Sequence, residues 1–145
     1  MAGEFSNIAE ADTISWWLTA TATGSFLMAR PTAWFLALHS AAGATETNSG
    51  WTATEVASAG TAYARQAISF ATPTTSGASV STSNSASLAF PVATGAGYSP
   101  THAAVWDSGT YTSGNLIFYI DTNNLTVAAT EQVTVAAGGI TFEVQ

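Results

Sequence analysis

Acid–base or nucleophilic chemistry in this chain would have to run through two histidines, nine carboxylates and a large stock of serine and threonine. A Ser–His–carboxylate triad needs its base poised beside an activated hydroxyl. His39 and His102 both fall inside alternating apolar runs, and no Gly-x-Ser-x-Gly elbow occurs. Serine is so frequent that it singles out no nucleophile. Glycoside hydrolysis would need two acids held roughly 5–10 Å apart across a cleft. Glu46, Glu55, Asp107, Asp121 and Glu131 are instead scattered at turns and strand ends. Zero cysteine removes disulfides, thiolate metal sites and thiol nucleophiles together. Two distant histidines make no zinc pattern, and Asp121-Thr-Asn-Asn124 lacks the spacing of a calcium loop. No phosphate-binding glycine pattern is present either. The expectation is a protein with no catalytic residue, no cofactor and no metal.

Two other groups stand out by type. Arg65 is one of only two cations in the chain, Arg30 being the other. An arginine in an apolar strand needs a carboxylate or several carbonyls, and Glu55 is the candidate partner for a structural ion pair. Trp51, Tyr98 and Tyr111 sit in stretches that read as loops, with faces suited to a subunit interface or to stacking on a sugar. Trp16 and Trp17 join them as interface candidates on an N-terminal helix.

The elements that would position these residues follow from periodicity. Residues 7–19 read as the one convincing helix. Asn7 caps it, Glu10 stands three residues on, and Ile8, Ala11, Ile14 and Leu18 form one stripe. That stripe either packs on the sheet or makes residues 1–24 an arm that docks on a neighbour. From Pro31 onward the period becomes two. Residues 34–39 alternate with both sets apolar, predicting a central strand covered on both faces. Residues 40–60 read as a long loop with a short edge strand near 52–56. Residues 63–70 form the next strand, with Ile68 and Phe70 on one face and Tyr63 and Arg65 on the other. The Ser/Thr-rich run 71–87 reads as a hairpin-like excursion or flexible loop. Further strands cover 88–92, 101–107, 115–120, 133–135 and 140–144. In the strand at 115–120, Leu116, Phe118 and Ile120 share one face, opposite Ile117 and Tyr119. Turns at Asp107-Ser-Gly, Asn123-Asn124 and Gly138-Gly139 separate the last of these. The fold class expected is all-β, an antiparallel β-sandwich or jelly-roll-like barrel with one N-terminal α-helix. Residues 1–145 form a single domain, with 31–145 as the sandwich.

Composition narrows the function classes. Charged residues are 8% of the chain, against roughly a quarter in an ordinary soluble domain. The net charge is −7, and hydrophobic residues reach 47%. Neutralising several phosphates takes a cluster of cations, so nucleic acid and anionic lipid are excluded as partners. The first residues show no secretory signal, and the apolar runs fall far short of the ~20 residues that span a bilayer. A surface of neutral hydroxyls rather than mixed charge suits a subunit packed against copies of itself or a partner.

Several segments in order carry a family resemblance: Pro31-Thr-Ala-Trp-Phe-Leu-Ala-Leu-His-Ser40, Thr54-Glu-Val56, Gly60-Thr-Ala-Tyr-Ala-Arg-Gln-Ala-Ile-Ser-Phe70, Leu88-Ala-Phe-Pro-Val-Ala-Thr94, Thr101-His-Ala-Ala-Val-Trp-Asp107, Gly114-Asn-Leu-Ile-Phe-Tyr119 and Thr126-Val-Ala-Ala129. They resemble small tailed-bacteriophage virion proteins, often labelled tail fibre proteins, in which a "LYLALHT…TEVSGGGYAR…F" pattern recurs. The chain departs from that pattern at Gly60-Thr-Ala-Tyr63, where a tighter glycine run is usual, and in its Ser/Thr-rich insertion at 71–87. The resemblance implies a non-enzymatic virion structural protein. With no secretory signal in its first residues, the chain is expected to be made in the host cytoplasm and then assembled on the particle surface. The absence of a repetitive shaft favours a head decoration (cement) protein that bridges capsid subunits. A tail fibre or tail-tip component, binding host carbohydrate, is the alternative. Expected partners are copies of itself, a trimer being one arrangement, and other virion proteins such as the major capsid protein.

Overall fold

The computed structural model describes residues 4–5, 31–77 and 79–144. The helix expected at 7–19, with Trp16 and Trp17, lies outside the described residues, as does Arg30. Ten strands are present among those described. They are β1 (Glu4–Phe5), β2 (Trp34–His39), β3 (Gln66–Ile68), β4 (Thr74–Ser76), β5 (Ser79–Ser83), β6 (Leu88–Ala89), β7 (His102–Trp106), β8 (Leu116–Asp121), β9 (Thr134–Val135) and β10 (Thr141–Val144). One short helix, α1 (Asn48–Thr52), interrupts them. The fold is all-β with antiparallel sheets.

The main sheet has the order β1-β8-β7-β2-β3. Its inner strands are rich in aromatic and aliphatic side chains, which suit a pleated surface buried on both sides. One face carries Leu36, Leu38, Ile68, Ala103, Val105, Phe118 and Ile120. It is covered by Val135 of β9 and Phe142 of β10, with Phe90, Val133 and Ile140 from the residues flanking β6, β9 and β10. That is the sandwich core. Asn84 ties its far layer together. Buried at 1% exposure, it donates to Ala86 O and Ala136 O and accepts from Ile140 N. Both hydrogens of its amide and its carbonyl oxygen are thus engaged by backbone groups.

The opposite face is smaller and aromatic: Ala37, Ala104, Trp106 and Leu116, with Trp51 laid over them. The stretch expected to be a loop at 40–60 contains α1, capped by Thr47 Oγ1 accepting from Gly50 N. Gly43 lets the chain fold under, because a Cβ there would stand 2.4 Å from Trp51 Cδ1. The edge strand expected near 52–56 is a single bridge, His39 with Glu55.

Two expected face assignments are corrected. A β-bulge on β8 leaves Val105 opposite Phe118 and Trp106 opposite Leu116, so Ile117 is an extra residue. Leu116 therefore joins Tyr119 on the Trp106 face, while Ile117 and Phe118 both reach the sandwich core. Period-two reading breaks at a bulge because one inserted residue flips every side chain beyond it. Tyr63 also packs with Ile68 rather than opposite it. Ala62 at φ 57 bends the chain before regular pairing begins at Gln66.

Candidate interaction surface

Arg65 and Glu55 meet at the edge of the aromatic face. Arg65 Nε donates to Glu55 Oε1 at 2.8 Å and Arg65 Nη2 to Glu55 Oε2 at 2.8 Å, with both side chains fully buried. This fork geometry suits two parallel charge-assisted bonds. The guanidinium also lies 4.5 Å from the centre of the Trp106 ring. Tyr63 donates its hydroxyl to Glu55 Oε1 and accepts from Leu38 N, tying the pair to β2.

The pair holds one loop. Arg65 Nη1 donates to Ser108 O at 2.8 Å and to Ser113 O at 2.7 Å, while Glu55 Oε2 accepts from Thr112 N at 2.9 Å. At the base of the same loop, Asp107 accepts from Asn115 N and Asn115 Nδ2. Asn115 Oδ1 in turn accepts from Asn48 Nδ2, and Asn48 Oδ1 from Leu116 N. Thr112 at φ 52 and Gly114 at φ 92 complete a backbone that a free loop would rarely adopt. A Cβ on Gly114 would stand 2.5 Å from Asp107 Oδ1. Gly114→Ala is therefore expected to cost at least about 1 kcal/mol in denaturant unfolding and to speed amide exchange across 108–113. Unchanged exchange there would mean the loop does not depend on this turn.

At the tip of the loop stands Tyr111, 39% exposed. Its neighbours Ser108, Gly109, Thr110, Thr112 and Ser113 are small and uncharged. Buried charge, strained backbone and a fixed base thus present one aromatic ring to solvent.

The other sequence candidates lie elsewhere. Trp51 is 1% exposed and offers no face to a partner; its ring packs 4.5 Å from Tyr119 and 5.0 Å from His39. A large apolar ring buried under its own chain is the physical reason the loop expectation fails. Tyr98 is half-buried and packs edge-on to Tyr63. His39 bonds Thr54 Oγ1 through Nδ1 and stacks near Trp106. Burial lowers its pKa to about 4, an effect that nearby Glu55 opposes and Arg65 reinforces. Burial likewise raises the hydroxyls of Tyr63 and Tyr98, with Glu55 adding to the effect at Tyr63. His102 bonds Thr101 Oγ1. Asp121 accepts from Asn123 N, as an Asx turn does, in the segment that offered oxygen ligands. Among the described residues no three metal-binding side chains come together, and no helix is long and apolar enough to cross a membrane. Sequence reading missed the Asp107–Asn115–Asn48 chain; the one signal for it was the Asp107-Ser-Gly turn.

A protein-family model described as "Podophage GP4 fiber I protein gp80" matches residues 4–143. The chain belongs to this family. It is a phage structural protein, and the match spans both the sandwich and the Tyr111 loop. No curated protein matches it.

Proposed function

We propose that the chain is a non-enzymatic component of a phage fibre, held in the virion by contacts with its own copies and with other virion proteins. The family match over 4–143 carries this reading, since the family is described as a fibre protein. That description supports the fibre over head decoration, for which the absence of a repetitive shaft is the only argument. Both histidines have neighbouring threonines as hydrogen-bond partners, and His39 is enclosed by Trp51 and Trp106, which fits a structural role better than a general base. The Tyr111 loop is the docking point on a neighbouring virion protein. Tyrosine is favoured at binding hot spots, and a loop fixed beforehand loses little entropy on docking.

Gold-labelled antibody against this chain should decorate tail appendages of purified particles; label confined to the head would overturn the fibre assignment. Tyr111→Ala should leave stability within about 0.5 kcal/mol, because the ring is exposed. Attachment to the particle should weaken roughly 30-fold, the effect of losing a hot spot worth about 2 kcal/mol. Undiminished incorporation of the variant would remove the loop from the interface.

A further inference from the structure

From Gln66 to Trp106 the chain contains no Asp, Glu, Lys or Arg. Within this stretch, β4 and β5 form a hairpin. β5 pairs with β10 on one side and with β4 on the other, so β4 is the outer strand of its sheet among the described residues. All three residues of β4 are exposed, so neither of its faces is covered. Val80, opposite Thr75, is 43% exposed. By alternation it continues the face on which Thr82 meets Phe142, carrying that apolar row beyond the core.

Natural sheets guard such an edge with lysine, other charge, a bulge or a covering segment. Here the strand itself is Thr-Thr-Ser, and Pro73 precedes it rather than interrupting it. Among the described residues, no charge, bulge or covering strand guards the outer side of β4.

Charge decides which partner suits it. Each copy carries −7, so copies repel at long range, and a self-contact costs least where no charge is brought close. The acid nearest within that sheet is Glu143 on β10, two strands from the outer edge. Two strand spacings are about 10 Å, which is about one Debye length at 0.1 M salt. A contact between two such acidic chains at the hairpin edge would bring no acids of this sheet into direct opposition.

We propose that β4 is a self-pairing edge. The β4 strand of one copy lies antiparallel against β4 of a second copy across a twofold axis, joining the two outer sheets into one. The Thr75 and Val80 rows of the two copies then flank each other on a common face. Such a contact is isologous, with main-chain hydrogen bonds giving the pairing and the exposed side chains setting its register. Three residues per copy make a small contact, well below the ~1,200 Å² of a stable interface. It associates weakly in dilute solution and strongly where neighbouring contacts already hold the copies together.

Sedimentation analysis of the full chain across its soluble concentration range tests this, with Thr75→Lys and Val80→Lys as variants. Both positions are exposed, so circular dichroism and thermal unfolding should match wild type. Wild type should shift reversibly from monomer to dimer, and each lysine should weaken that association at least tenfold. The sign is diagnostic, because a lysine makes the chain less negative and on net charge alone would favour association. In parallel, β4 amides should gain exchange protection as wild-type concentration rises. A wild type that stays monomeric, or lysine variants that associate equally well, would overturn the proposal. So would a monomeric wild type whose incorporation into particles is lost with Thr75→Lys, since the edge would then belong to a different protein. None of these outcomes touches the Tyr111 loop, so this pairing and the fibre reading stand or fall separately.

Discussion

Glu55→Ala is expected to destabilise the fold by about 3–5 kcal/mol, the usual effect of removing one partner from a buried ion pair. The reason lies in what remains. Arg65 stays buried with its Nε and Nη2 unpaired, while Tyr63 and Thr112 N each lose an acceptor. Urea unfolding monitored by tryptophan fluorescence reads the loss directly. A cost below about 1 kcal/mol would show that the pair is hydrated and has alternative partners. The double variant Glu55→Leu/Arg65→Met separates stability from positioning. Apolar replacement of a whole buried pair is often close to neutral, so global stability should largely return. The loop should not recover, because Ser108 O, Ser113 O and Thr112 N have lost their anchors. Fast amide exchange at 108–113 in a stable double variant is the expected signature. It would mark the pair as a device for holding Tyr111 in place rather than for holding the fold.

The second large effect is a pH dependence carried by His39. Its pKa falls from about 6.5 unfolded to about 4 folded, chiefly through burial. Between those values the unfolded chain binds a proton that the folded chain refuses. Stability from this residue is therefore complete above pH 6.5 and falls as pH drops toward 4. Over that window the loss is about 3 kcal/mol, at 1.36 kcal/mol per pKa unit. The charged groups facing the ring are Glu55, which favours protonation, and Arg65 and His102, which oppose it. His39→Gln should flatten the curve. Carboxylates titrate in the same range, so the quantity to read is the difference between wild type and variant from pH 7 to pH 4. Parallel curves would contradict a buried neutral histidine.

Much of this architecture was legible in the sequence, and the reasons are specific. Residues 34–39 are apolar on both alternating sets, which only a strand covered on both faces satisfies, and β2 lies between β7 and β3. A scarce arginine beside apolar neighbours must find a partner, and Arg65 has it in Glu55 at 2.8 Å. The Ser/Thr-rich run at 71–87 carries hairpin β4-β5. Other features were hidden for physical reasons. The bulge at Ile117 leaves no mark on an unbroken apolar run, yet it reverses the faces before Phe118. Trp51 looked like a loop residue because the glycine that lets it fold under, Gly43, stands eight residues earlier. The anchoring of the Tyr111 loop joins Arg65 to Ser108 and Glu55 to Thr112, contacts that local periodicity cannot register. What pattern reading captures is which residues are buried; it does not capture which distant backbone groups a buried charge will seize.

The central claim is that this acidic β-protein serves a phage fibre. Its copy number per purified particle, measured by quantitative mass spectrometry against the major capsid protein, tests that most directly. The account predicts a small fraction of the capsid subunit count, as appendages at a single tail require. A ratio approaching one per capsid subunit would contradict it and return the chain to the head surface.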